Sequence, residues 1–390
     1  MSGSEASRVP LSELADLLAA GEPLPFKVLD SQGRLLLAAG QHVLNPRQMA
    51  ALLERGACAD AAEVRAVRQA RGSSGTAGGA VAVGQRTWFE RMEQQVWSLD
   101  DLLRAMGRER EPTLAQRIAA LADEVIALVE CHPDAALFLA VRQHDRRFAL
   151  YALTHALHTA TVGLLTARQL GWEAARRQCV VRAALTMNAS IIELQARMAE
   201  QHEPPGKKQL EQIRAHPHQS AQLLRDCGVE DTAWLAAVED HHERGGGAGY
   251  PRGVAEVGEL AHLLRAADVF TAKISPRALR TPLTPQLAAR QLFQEEQGGP
   301  FAAALIRAVG VYPPGDWVSL KSGEVGVVVH RAEPGRGAVV AALIGPNGKA
   351  VPGVPRRDTA QAGFSITGPL GDRAGLPRVL PEQVYGLLEP

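Results

Sequence analysis

HHERGGGAGYPRG, residues 241–253, joins two adjacent histidines to a run of glycines and a rigid Gly249-Tyr250-Pro251 turn. Read locally, it is a helix stop followed by a loop. Imidazoles are favourable near the negative end of a helix dipole, and glycine ends helices by taking conformations other residues avoid. Glycines 245, 246 and 247 predict a mobile loop. The combination is rare, and imidazole is the commonest protein ligand for transition metals. Four further histidines, His155, His158, His216 and His218, fall on segments where a helical bundle could gather them.

The surrounding sequence supplies such a bundle. Apolar residues recur at three-to-four spacing in Trp88, Met92, Val96, Leu99 and Leu103, and again in Ile118, Leu121, Ile126 and Leu128. Further helices are expected from about Leu137 to Gln169, Trp172 to Glu200, Leu210 to Cys227, Ala233 to His241 and Val257 to Ile274. The period stops at Tyr312-Pro313-Pro314-Gly315, after which DWVSL, EVGVVV and AVVAALI read as three β-strands. Before the bundle, FKVLDSQGRLLLAAGQHV gives two short strands around Ser31-Gln32-Gly33, and Asn45-Pro46 opens a helix. The stretch RGSSGTAGGAVAVG reads as a flexible linker. The fold class predicted is therefore mainly α. A small α+β module spans 1–70, a linker 71–84, a helical domain 85–310 and a β-rich extension 311–390.

Composition narrows the function classes. Lys plus Arg number 42 and Asp plus Glu number 42, so no net field draws the 390-residue chain to nucleic acid or to an anionic membrane. Cys58, Cys131, Cys179 and Cys227 are scattered without a CxxC pair, which argues for reduced packing residues. No segment is long and apolar enough for membrane insertion, and a cytoplasmic protein is expected.

HHERGGGAGYPRG followed by ADVFTAKISPRALR resembles the second half of an HD-GYP domain, the helical metal-dependent phosphohydrolase subfamily associated with cyclic di-GMP. THALHTATVGLLTARQLGW is similar to its first ligand helix, HPHQSAQLL to its middle histidine helix, and VYPPGDWVSLKSGEVGVVV to the β-tail that follows such domains. Together these segments run from about Phe138 to Val329, in family order. The resemblance implies metal-ligand positions at His155, His216, His241, His242 and Asp268. It implies phosphate contacts at Arg277 and Arg280, and a ligand-stacking or partner-binding loop at Gly249, Tyr250 and Pro251.

The central histidine-aspartate pair of the family, in a stretch like ALLHDIGK, corresponds here to ALTMNASI, so Met187 and Asn188 stand at the two ligand positions. A thioether is a weak ligand for hard ions, and a neutral amide is a poor bridge between two of them. Ile191 stands at the family's lysine, Gly246 at the aspartate after the double histidine, Thr271 at a second aspartate, Thr281 at a lysine, and Tyr151 at an acidic ligand of some members. The dipeptide His144-Asp145 precedes the first ligand helix and reads as a solvated pair. What the resemblance implies is a signalling protein that binds cyclic di-GMP or a diguanylate cyclase domain without hydrolysis. The alternatives are an altered phosphohydrolase holding one iron or manganese ion on His216, His241 and His242, or a pure interaction scaffold.

Overall fold

The computed structural model describes residues 8–18, 23–31, 33, 35–37, 39–41, 43, 46–54, 56–73, 87–106, 113–142, 150–370, 376–377, 379–386 and 388. These divide into two compact units, one ending at Trp97 and the other running from Ser98 to Leu388.

In the first unit the expected hairpin is present as β2 (Val28–Leu29) and β3 (Leu35–Leu37), with a register shift in its short ladder. It forms part of a larger antiparallel sheet with β1 (Arg8–Pro10) and β4 (Cys58–Asp60), in the order β1-β4-β2-β3. The helices α1 (Pro46–Glu54) and α2 (Ala61–Ser73) accompany it. Leu11, Leu14, Phe26, Val28, Leu52 and Val64 form the core. Asp60 starts α2 by accepting the backbone N–H of Ala62 at 2.7 Å, the usual service of an N-terminal carboxylate. The expected linker begins later than the composition suggested, because 71–73 are the last residues of α2; residues 74–84 lie outside the described residues.

Helix α3 (Trp88–Met106) spans the boundary, and the second unit continues with α4 (Leu114–Cys131), α5 (Pro133–Val141), α6 (Tyr151–Gln169) and α7 (Ala174–Thr186). Next come α8 (Ile192–Glu200), α9 (Lys207–Asp226), α10 (Thr232–Asp240), α11 (Glu259–Ile274), α12 (Pro285–Glu295) and α13 (Pro300–Val309). Helix α6 is buried almost all round, as expected for a helix at the centre of a bundle. At Gly163 it meets α7 so closely that a Cβ would stand 2.9 Å from the Val180 side chain. The two helices predicted over Leu137–Gln169 and Trp172–Glu200 are each broken in two. His144-Asp145 lies outside the described residues.

The break after α7 matters most. Thr186 ends the helix with its hydroxyl bonded back to the Arg182 carbonyl at 2.7 Å, and the indole N–H of Trp234 donates to the same hydroxyl at 2.9 Å. A 3-10 turn, Ala189–Ile191, follows. Its Ser190 hydroxyl donates to the His216 carbonyl at 3.1 Å and lies 2.9 Å from the Ser220 hydroxyl, so the turn is tied to α9. A serine that can bond outside its own helix competes with continued helix, and periodicity does not register this.

The β-rich extension belongs to the same unit. The three expected runs are β5 (Trp317–Leu320), β6 (Val325–His330) and β7 (Val339–Ile344), flanked by β8 (Arg356–Asp358) and β9 (Ile366–Pro369) in the antiparallel order β8-β7-β6-β5-β9. Trp317, Val327 and Val329 pack with Phe138 of α5 and with Val384 of the short helix α14 (Pro381–Tyr385). Asp134 of α5 accepts from Arg331 at 2.5 Å and lies 3.1 Å from His330. Gly315 is required where the chain enters the sheet: its φ is +90°, and a Cβ would approach the Phe138 carbonyl to 2.9 Å.

Candidate metal centre

Two helix defects orient two of the histidines. Pro217 lies inside α9 and has no N–H, so the Ile213 carbonyl four residues earlier loses its usual helical donor. The Nδ1–H of His216 donates to that carbonyl at 2.5 Å. Helix α10 ends at Asp240, which leaves its last carbonyls without helical donors, and the Nδ1–H of His241 donates to the Val238 carbonyl at 2.7 Å. A carbonyl only accepts, so Nδ1 carries the proton in both rings and each neutral imidazole has its lone pair on Nε2.

Those two Nε2 atoms face each other 3.1 Å apart in a buried site. Burial, then the nearby charge of His241, pushes His216 down to about 3. Burial likewise lowers His241, and it lowers His242 well below the ordinary histidine range. Neutral rings with both Nδ1 protons committed have no hydrogen to share between the Nε2 atoms. Such a pair of lone pairs calls for a cation. His242 completes the group, the three ligand atoms lying within 4.8 Å of one another. Two nitrogens bound at about 2.1 Å to one ion stand roughly 3.0–3.4 Å apart at ordinary coordination angles, so the donor set fits a single ion.

His155 and Asp268 form a second, adjoining element. His155 Nε2 stands 2.7 Å from Asp268 Oδ1, both groups buried. Burial opposes the Asp268 charge, but the His155 hydrogen bond and the surrounding imidazoles outweigh it and hold the carboxyl far below its ordinary value. Thus the five candidate ligand positions are gathered, though as a triad beside a closed pair.

Met187 is fully buried and Asn188 nearly so, at the turn between α7 and the following 3-10 segment. The Asn188 amide makes no hydrogen bond among the described residues. Ile191 is buried, and Thr271 is buried with its hydroxyl unpartnered. None of these four positions carries a carboxylate or an imidazole.

Arg277 and Arg280 have different partners. Arg277 donates through Nε to the Tyr151 hydroxyl at 2.9 Å and through a second nitrogen to the same oxygen, and its guanidinium lies over the Tyr151 ring at 4.8 Å. Tyr151 in turn stacks on His155 with ring centroids 5.5 Å apart. The residue at an acidic-ligand position thus engages the residue expected to hold phosphate. Arg280 is exposed and donates to the Ala272 carbonyl at 2.6 Å.

The Gly-Tyr-Pro loop is tied down, against the expectation of a freely mobile glycine run. Glu243 is fully buried, and its carboxylate accepts the backbone N–H groups of Arg252 at 2.7 Å, Gly253 at 3.0 Å and Val254 at 3.3 Å. Gly249 packs on the backbone of Glu243 so tightly that a Cβ would meet it at 2.4 Å. Tyr250 then lies stacked on His242, ring centroids 4.6 Å apart. Sequence reasoning missed Glu243, Ser190 and Pro217. The signal for Glu243 was a carboxylate between two histidines and a glycine loop rich in unpaired N–H groups.

The helical scaffold and its gathered histidines define a domain of the HD type, and residues 114–300 match the family model of the HD domain. Over 227 residues the chain is 30% identical to cyclic di-GMP phosphodiesterase PA4108 of Pseudomonas aeruginosa. The alignment covers 54% of this chain and 51% of that protein, so the chain spans about half the length of the curated relative it matches. A structural similarity to Bd1817, a HDG"Y"P protein from Bdellovibrio bacteriovorus, has a TM-score of 0.49 at 16% identity, over 77% of this chain and 97% of that one. Residues 114–300 of the chain therefore carry an HD domain. Among the described residues no helix is long and apolar enough to cross a membrane.

Proposed function

We propose that this chain is a non-hydrolytic cyclic di-GMP signalling protein, whose HD-GYP-type domain holds one metal ion and presents its loop to a ligand or a diguanylate cyclase domain. The observation that carries this reading is the buried Met187-Asn188 turn. Cleavage of a phosphodiester by a multinuclear centre depends on metals about 3.5–4 Å apart, which activate water and stabilise both the attacking and leaving oxygens. That spacing is held by a bridging carboxylate, and Asn188 has no charge with which to hold it.

The ligand surface is assigned to Tyr250, to Arg280 and to the edge of Arg277 not turned to Tyr151. An aromatic face suits a guanine base, and guanidinium groups suit phosphate oxygens. A bound divalent ion on His216, His241 and His242 would supply an electrophilic site for a phosphate oxygen.

The test is cyclic di-GMP turnover and binding by the metal-loaded natural chain beside a Met187→His, Asn188→Asp double variant. Binding without turnover by the natural chain supports the reading. Turnover by the natural chain that is lost in His241→Ala overturns it, and absence of binding leaves the interaction scaffold in its place. The triad itself favours a second reading, a single-ion hydrolase of another phosphate ester, which turnover of simple phosphomonoesters or diesters by the natural chain would establish.

A further inference from the structure

Resting on the reading of the triad as a single-ion site, we propose that His216, His241 and His242 form a mononuclear zinc centre that discriminates against iron and manganese. The ligand set is all imidazole. Two of its rings have their second nitrogen anchored to a carbonyl, an arrangement that fixes the tautomer and raises the basicity of the metal-facing nitrogen. The 3.1 Å between their Nε2 atoms suits two ligands of one shared ion.

The carboxylates near the triad each have another partner, Asp268 through one of its two oxygens. Glu239 binds His218 and Arg225, Asp240 binds Arg252, Glu243 binds the loop backbone, and Asp268 binds His155. The remaining candidate positions are the neutral Asn188 and the thioether Met187. Manganese favours carboxylate and water oxygens, and iron sites of this size pair histidines with a carboxylate. Imidazole suits zinc, copper, nickel and iron, but the affinity order of divalent ions places manganese lowest and iron next, below zinc. Three histidines on zinc leave the fourth tetrahedral position for water or for a ligand oxygen. Here the replaced pair removes one imidazole and one carboxylate from the set and leaves the triad as an all-imidazole site.

The test uses the full chain, stripped with chelator and dialysed anaerobically against equal concentrations of zinc, iron(II) and manganese(II), with metal content read by mass spectrometry. The expected result is about one zinc per chain, with iron and manganese lower by about tenfold or more. Cobalt(II) added to the stripped natural chain should give the intense visible bands of tetrahedral coordination, a readout needing no variant. His242→Ala should lose the ion, and Met187→Leu should keep it. Preferential retention of iron or manganese, two ions per chain, octahedral cobalt spectra or no bound ion overturns the proposal. Cyclic di-GMP turnover measured on the same samples separates the two readings, since iron retention without turnover removes only the zinc assignment.

Discussion

Asp268 on α11 and His155 on α6 meet at 2.7 Å across 113 positions of sequence, in the interior of the bundle. The contact ties α6 to α11 and occupies one oxygen of Asp268. Asp268→Asn is expected to lower stability by about 1–3 kcal/mol, the cost of degrading a buried charge-assisted hydrogen bond. Chemical denaturation of the metal-free chain measures it, and an unchanged midpoint would mean that the pair contributes nothing.

Pro217 is a trade between helix stability and site geometry. Pro217→Ala restores a donor for the Ile213 carbonyl and removes a helix-interior proline, so stability should rise by about 1–3 kcal/mol. The His216 ring then competes for its anchor, and metal affinity should fall by about tenfold to a hundredfold. Thermal melts and metal titration together test the opposed signs.

Glu243 holds the loop rather than the ion. Glu243→Ala leaves three backbone N–H groups without their acceptor, each worth about 1 kcal/mol or more where burial keeps water away. Rapid amide exchange over residues 245–254 is the expected result, with protection in α6 and α7 retained. Equal protection in the loop of the natural and variant chains would refute this role.

Arg277 and Arg280 should separate in a stability assay. Arg277→Ala removes a cation over the Tyr151 ring and the partner of its hydroxyl, at a cost of about 1–2 kcal/mol. Arg280→Ala, at an exposed position, should stay within about 0.5 kcal/mol. Urea titrations of both variants settle the order.

Acidification should destabilise the metal-free protein well before its carboxylates titrate. Burial, followed by a neighbouring histidine, pushes His158 and His216 down to about 3, whereas unfolded histidine titrates near 6.5. Between about 6.5 and 3 the unfolded chain therefore binds protons the folded chain does not, and stability falls as pH falls, by up to about 1.4 kcal/mol per pH unit for each ring. The Asp268 carboxyl, held below its ordinary value, contributes stability that is constant above about pH 4 and is lost only below it. Melting temperatures of chelator-treated protein should drop from pH 7 to pH 5 and be flat from pH 7 to pH 8. A flat profile down to pH 5 would contradict neutral buried rings.

Helical periodicity placed most helices within a few residues, because amphipathic spacing is written locally in a surface helix. It failed where the bundle interior removes the pattern. Helix α6 is buried on nearly every face, and the break at Met187–Ile191 is set by Ser190 and Thr186 bonding to residues far along the chain. The short strands β1 and β4 also escaped, since runs of three residues are too brief to alternate.

By itself the sequence determined that this is a helical domain with a double histidine, a Gly-Tyr-Pro turn and a substituted central pair, because those are facts of residue identity and order. Only the tertiary structure decided how the candidate residues are placed. It placed three imidazoles around one point, closed Asp268 on His155, turned Arg277 onto Tyr151 and fixed the loop on Glu243. Each of these is a contact between residues distant in the chain or set by ring orientation, and a distance of 3.1 Å between two lone pairs exists only once the helices that carry them have packed.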